Sequence, residues 1–108
     1  MAGELVFFSA YGNRTAGVSF AKNVIVIAGV NKLAADLIAA LERARKIATP
    51  QNCQRLNWNS ACLKDGICHR ESCVLPEYKR MCCQLLIIEA EALHNRMTVV
   101  LINEELGY

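Results

Sequence analysis

Residues 22–50 read KNVIVIAGVNKLAADLIAALERARKIATP and contain the clearest structural pattern of the chain. Residues 24–30 form a continuous apolar run rich in β-branched side chains, which is typical of a strand buried on both faces. From residue 32 onward, apolar residues recur at helical spacing and charged residues occupy the opposite face. The change of period predicts a βα unit: a central strand followed by one long helix over 32–48.

The two ends of this helix carry their own signals. Asn31 is a suitable N-cap, and Pro50 is expected to prevent continuation beyond Thr49 because proline has no backbone N–H to donate. Glu42 and Lys46 stand four residues apart, a spacing at which opposite charges attract on a helix surface.

The flanking segments are predicted to be strands. Residues 4–10 and 15–21 are short apolar segments on either side of the turn signal YGN, and we expect a hairpin there. Residues 83–93 and 96–108 return to strand character, with a turn at 94–96. A chain of 108 residues is one domain at most. We therefore predict a single α/β domain over 1–108 with a mixed or parallel sheet.

Composition excludes several classes of function. The net charge is +2 and the basic residues are scattered, so we expect no nucleic-acid partner. The longest apolar run, VIVIAGV, is far shorter than the roughly 20 residues of a membrane-spanning helix, so we expect no membrane partner. The first residues, MAGELVFF, lack the basic region of a secretory signal. We expect a cytoplasmic protein whose six cysteines are reduced.

Five of these cysteines lie in CLKDGICHRESCVLPEYKRMCC, residues 62–83, within an irregular cysteine-rich loop at 53–83. A long irregular segment in a small domain is uncommon without a function or an organising ligand. Thiolates suit zinc and iron–sulfur clusters. The candidate ligands are four spaced cysteines and two substitutes, namely Cys62, Cys68, Cys73 and Cys82, with Cys83 or His69 replacing one of them. Since no Cys-x-x-Cys pair is present, reduced thiols in a packed loop are the alternative.

A second candidate site lies at the turn after the central strand. Helix N-termini offer free amide groups to anions, and ligands of open α/β sheets bind at the carboxyl ends of strands. Gly29, Asn31 and Lys32 are therefore candidates to bind a phosphate or CoA-type ligand. The simpler interpretation is that Asn31 caps the helix and Gly29 permits the turn.

An enzyme built on a nucleophilic cysteine is a further alternative. Cys82 or Cys83 would need His69 or His94 within hydrogen-bond reach as a base. Nothing in the sequence indicates that geometry, so no catalytic residue is assigned and enzymatic activity stays open.

Four ordered motifs of this chain resemble the LUD, or lactate-utilisation, domain family. They are Ala-Gly-Val-Asn-Lys at 28–32, Pro-x-Asn followed by a basic residue at 50–55, the cysteine-rich loop at 62–82, and Glu-Glu-Leu-Gly-Tyr at 104–108. The resemblance covers nearly the whole chain. It implies a partial three-layer α/β sandwich similar to that of sugar-phosphate isomerases and CoA transferases. It also implies an accessory role in lactate oxidation beside iron–sulfur partner proteins.

The chain departs from this family in two respects. Family members are about twice as long, so the chain resembles their carboxy-terminal half. Cys68 and Cys73 are separated by four residues, where the family has two. A half-domain exposes apolar surface and strand edges, so we expect a homodimer or a separate partner chain to cover them. An inactive remnant, whose missing half held the site, is the remaining alternative.

Overall fold

The structure is a computed structural model and describes residues 3–108. Its elements are β1 (Leu5–Ser9), α1 (Asn13–Phe20), β2 (Val24–Gly29), a 3₁₀ turn (Val30–Lys32), α2 (Leu37–Arg43), a π-helical turn (Ala44–Ala48), α3 (Thr49–Leu56), β3 (Gln84–Ile88) and β4 (Met97–Ile102). Helices and strands alternate through the first half of the chain. The predicted α/β class is confirmed.

The strands form two separate two-stranded sheets. Strand β1 runs antiparallel to β3, with Leu5 opposite Ile88. Strand β2 runs parallel to β4, with Val24 opposite Met97. Both orientations predicted for a mixed sheet therefore occur, and the parallel pair is joined by the crossover connection that parallel strands require.

The predicted hairpin is wrong, because residues 15–20 belong to helix α1 rather than to a strand. The helix is held at its carboxyl end by a distant residue. The Arg96 guanidinium donates to the Val18 carbonyl at 2.9 Å and to the Ala21 carbonyl at 2.8 Å. A short apolar segment has no decisive period of its own, so this tertiary contact determines its conformation.

The long helix begins later than the sequence indicates. Asp36 is its N-cap, and the Asp36 carboxylate accepts a hydrogen bond from the Ala39 N–H at 2.8 Å. The prediction that Asn31 caps this helix is wrong. The Asn31 amide instead contacts the chain after β4, through the carbonyls of Leu106 and Gly107.

The helical run also continues past Pro50, to Leu56, so the predicted stop at Thr49 is wrong. Pro50 lies in the first turn of α3, directly after the π-helical turn. The changed hydrogen-bond register of a π turn accommodates a residue without an N–H. The predicted ion pair between Glu42 and Lys46 is confirmed.

Burial is concentrated at the cysteine-rich end of the molecule rather than between the sheets. The fully buried residues with the largest side chains are Pro50 and Cys53. In contrast, Ile25 and Ile27 of β2 are 68% and 65% exposed. Strand β2 was predicted to be buried on both faces. The prediction is wrong for the face that carries Ile25 and Ile27. Within residues 3–108, no helix is long and apolar enough to cross a membrane.

Candidate functional site: a thiol-lined cavity

The four cysteines predicted as ligands line one small cavity between the helical run and the irregular segment. The cavity measures about 20 Å³, which is room for about one water-sized group. Its walls are formed by residues of the helices and of the loop: Arg45, Thr49, Ser60, Cys62, Cys68, His69, Arg70, Cys73, Arg80, Met81 and Cys82. Cys83, one of the two predicted substitutes, is exposed and is not among them.

The inner wall of the cavity is made by buried thiols. Cys62 and Cys73 are both buried. The Cys62 sulfur lies 3.2 Å from the Ser60 hydroxyl, and the Ala61 N–H donates to the Cys73 sulfur at 3.4 Å. Because Ser60 to Cys73 contains no regular helix or strand, these hydrogen bonds position the thiols. The loop therefore folds around its own sulfur atoms.

Three arginines line this cavity, namely Arg45, Arg70 and Arg80. The Arg80 Nε–H donates to the Cys82 sulfur at 3.3 Å, and that hydrogen bond raises the pKa of the Arg80 guanidinium. Arg45 reaches the cavity from the π-helical turn. Within the described part of the chain, its Nε is buried and has no hydrogen-bond partner. An anion or an electron-rich sulfur ligand in the cavity would satisfy that orphaned donor.

His69 is held in place by a carboxylate. Its Nε2 lies 2.6 Å from Oδ2 of Asp65, and this hydrogen bond lowers the pKa of the Asp65 carboxyl. Histidines that bind metals usually pair their second ring nitrogen with a carboxylate in this way. With Nε2 engaged, Nδ1 is the ring nitrogen left for a ligand in the cavity.

Cys53 lies beside the cavity but has a different character. It is fully buried on α3, and its sulfur lies 3.8 Å from the Met81 sulfur. Burial away from water raises the pKa of the Cys53 thiol to about 12. At neutral pH this thiol is protonated and behaves as a small apolar side chain.

A cluster of aromatic and cationic side chains fixes the far end of the loop. The Lys79 ammonium lies 4.6 Å from the centroid of the Trp58 ring and 5.1 Å from that of Tyr11. The indole N–H of Trp58 donates to the Lys79 carbonyl at 2.5 Å. Such cation–π contacts stabilise by about 0.5–1 kcal/mol at exposed sites. Trp58 thus packs against the loop at Lys79.

The positions of the donor atoms show whether the cavity already forms a metal-binding site. All six cysteines are free thiols. Among residues 3–108, no three His, Cys, Asp or Glu side chains are placed to hold a metal ion together. The cysteines therefore share a cavity wall without forming a coordination sphere. Metal binding by Cys62, Cys68, Cys73 and Cys82 stays a prediction, and it requires their side chains to turn towards a common centre.

The second candidate site, at Gly29, Asn31 and Lys32, is separate from the thiol cavity and is filled by the chain itself. The Lys32 ammonium donates to the Tyr108 carbonyl, and the Arg43 guanidinium reaches the same oxygen at 3.2 Å. Burial, followed by the nearby Arg43 charge, lowers the pKa of Lys32. The donors predicted to bind an anion are thus engaged by residues 106–108, which a phosphate or CoA-type ligand would have to displace.

Sequence reasoning missed Arg45 and Arg80 of the thiol cavity and Asp65, which holds His69. Arg45 was assigned to the solvent face of the helix, and Arg80 had no local pattern to mark it. Asp65 alone left a signal, because it stands four residues before His69. Only the folding of the loop brings the two arginines to the cysteines.

Comparison with known proteins identifies the family. The chain matches the LUD domain over residues 1–102. That range includes β1 to β4 and every residue of the thiol cavity. No curated protein and no solved structure matches the chain significantly. Because the match spans nearly the whole sequence, the chain belongs to the LUD domain family.

Proposed function

We propose that this protein is a cytoplasmic accessory component of lactate utilisation that acts beside iron–sulfur proteins of lactate oxidation. The observation that carries the proposal is the match to the LUD domain over residues 1–102. The proposal assigns no catalytic step to the chain. Its contribution is to an assembly that oxidises lactate.

Genetic complementation tests this role. A bacterial host whose own LUD protein has been deleted is supplied with the intact chain, and its growth on lactate is compared with its growth on glucose. Restored growth on lactate alone supports the proposal. If growth on lactate stays as poor as in the deletion host, although the protein is present and folded in the cells, the proposal is contradicted.

We infer a second function from the cavity, which is the binding of a metal through cysteine thiolates: Zn²⁺ matches a cavity of this size, whereas an iron–sulfur cluster would require the loop to open. The observation that favours it is that Cys62, Cys68, Cys73 and Cys82 line one cavity. Thiolates are preferred ligands of both centres. The pairing of His69 with Asp65 is expected of a histidine that binds a metal. The orphaned Arg45 Nε could donate to an electron-rich sulfur ligand.

Bound metal would supply the stability that the loop lacks, since it would join segments without regular structure. This is how structural zinc sites replace a hydrophobic core. The chain itself provides the sulfur donors, the imidazole and three guanidinium groups. These residues would hold the metal and balance the negative charge of the thiolates.

Titration with Co²⁺, a spectroscopic substitute for Zn²⁺, tests the binding. Reduced protein should develop a sulfur-to-cobalt charge-transfer band that saturates at about one ion per chain and disappears when Zn²⁺ is added. Replacing Cys62 and Cys73 together by serine should abolish the band. Cys83→Ser is the matched control and should leave it unchanged, because Cys83 lies outside the cavity. An equal effect of both variants would contradict this assignment of ligands.

A further inference from the structure

We propose that two copies of this chain associate through the apolar face of the β2–β4 sheet that carries Ile25 and Ile27. The proposal is independent of metal binding and of lactate utilisation. It rests on the amount of surface exposed, on the character of the strand edges and on the charge of the molecule.

The chain exposes more surface than a compact monomer should. Its accessible area is 7397 Å², whereas a compact monomer of this mass exposes about 6,000 Å². Its radius of gyration is 14.6 Å, compared with about 13 Å for a compact domain of this length. The excess is about 1,400 Å² per chain. An interface that buried this excess on each of two copies would lie in the range of obligate homodimers, roughly 2,000–5,000 Å² in total, and the β2–β4 face would form part of it.

Part of the exposed apolar surface lies on the β2–β4 sheet, on Ile25, Ile27, Val99, Val100 and Leu101. Residues opposite one another in paired strands point to the same face. Ile25 therefore shares a face with Thr98, and Ile27 shares it with Val100. Ile27 and Val100 are 65% and 41% exposed. Neither strand contributes a charged side chain to this face.

The edges of the strands are equally unprotected. Within residues 3–108, each of the four strands is paired on one side only. Their sequences, LVFFS, VIVIAG, QLLII and MTVVLI, contain no charged residue and no proline. Natural proteins place such residues on free edges to prevent pairing with other chains. Since a two-stranded sheet is marginally stable alone, these edges and faces require cover.

The charge of the molecule favours a second copy as the cover. The net charge of +2 produces little repulsion between two identical chains. An uncharged face also offers nothing that would select an oppositely charged partner. In a two-fold symmetric dimer the same face meets itself, and an aliphatic surface is complementary to a copy of itself.

Sedimentation equilibrium over a wide range of protein concentrations tests the proposal. The intact chain should sediment as a dimer of about twice the chain mass of 12.0 kDa. Ile27→Lys places a charge in the middle of the proposed face and should weaken the dimer at least about tenfold. Ile67→Lys is the matched control, because Ile67 is 60% exposed but lies in the cysteine-rich loop. That variant should associate like the parent chain.

Hydrogen exchange on the unmodified protein tests the dimer without any variant that must first be shown to fold. Amides of β2 and β4 should exchange more slowly at high protein concentration than at low concentration, whereas those of α1 should not change. A folded monomer at every concentration would overturn the proposal. So would a dimer that Ile27→Lys and Ile67→Lys affect equally, or a chain that becomes monodisperse only with a different protein bound.

Discussion

The side-chain amide of Asn31 and the backbone of Leu106 exchange hydrogen bonds in both directions. The Leu106 N–H donates to the Asn31 Oδ1 at 3.1 Å, and the Asn31 Nδ2 donates to the Leu106 carbonyl at 3.5 Å. A third bond joins the Asn31 Nδ2 to the Gly107 carbonyl at 3.1 Å. These contacts fasten the end of the chain to the turn after β2. These hydrogen bonds hold the turn in position through contacts within the chain itself.

The same contact makes Gly29 sensitive to substitution. A Cβ atom added at Gly29 would lie 2.6 Å from the Leu106 nitrogen and 2.7 Å from the Asn31 Oδ1. Gly29→Ala should therefore lower the free energy of unfolding by about 1–3 kcal/mol, as overpacking typically does. Urea unfolding followed by circular dichroism measures this change. Gly17→Ala is the control, because nothing lies within 4 Å of its added Cβ and alanine favours the helix. Equal stability of the two variants would contradict the close packing.

Arg96 should be the most important single side chain for helix α1. It is largely buried, with 11% of its side chain exposed, and its guanidinium caps the carbonyls of Val18 and Ala21. Arg96→Ala should lower the free energy of unfolding by about 2–3 kcal/mol, because charged hydrogen bonds are lost and carbonyls are left unsatisfied. The variant should also lose helical signal in far-ultraviolet circular dichroism. Lys22→Ala, at an exposed position, should retain both properties.

The partner of Arg96 should give the protein a sensitivity to acid. Hydrogen bonds from the Leu93 N–H and from Arg96 lower the pKa of the Glu91 carboxyl below its ordinary value of 4.5. A carboxyl with a depressed pKa contributes stability above its unfolded pKa and loses it as the pH falls through the folded value. At pH values below about 4.5 the melting temperature should therefore decrease. Glu91→Gln should reduce this dependence on pH. An unchanged pH profile in the variant would exclude Glu91 as a cause.

The cysteines should react with alkylating agents in an order set by burial. Cys83 is exposed and should be modified first by iodoacetamide at neutral pH. Cys53 is fully buried with a pKa raised to about 12, so it should be modified last, when the protein unfolds. Peptide mass spectrometry of timed samples gives the order. Early modification of Cys53 in folded protein would contradict its burial.

Local pattern predicted those parts of the fold that depend on neighbouring residues. The strand at β2, the helix after it and the Glu42–Lys46 pair follow from spacing within a few turns of chain. The identity of α1 did not, because its cap comes from Arg96. Local pattern does not distinguish the N-cap, Asp36, from Asn31, because both side chains can accept a hydrogen bond from a backbone N–H and Asn31 stands closer to the strand.

The sequence identified the cysteines of the candidate site but not the other residues that surround them. Clustering along the chain identified Cys62, Cys68, Cys73 and Cys82, and these four line one cavity. The contribution of Arg45 could not be foreseen, because a helix pattern assigns it to solvent. The occupation of the turn at Lys32 by residues 106–108 depends on contacts across about 75 residues, which no local pattern records.

The metal and sulfide content of anaerobically purified protein shows whether the thiol cavity binds a metal. The measurement compares the intact chain with a Cys68→Ser/Cys73→Ser double variant and with Cys83→Ser. We expect about one zinc per chain, or iron with matching sulfide and a visible charge-transfer band. That content should be lost in the double variant and retained in Cys83→Ser. A folded, colourless protein without metal would contradict the account and leave Cys62, Cys68, Cys73 and Cys82 as ordinary thiols.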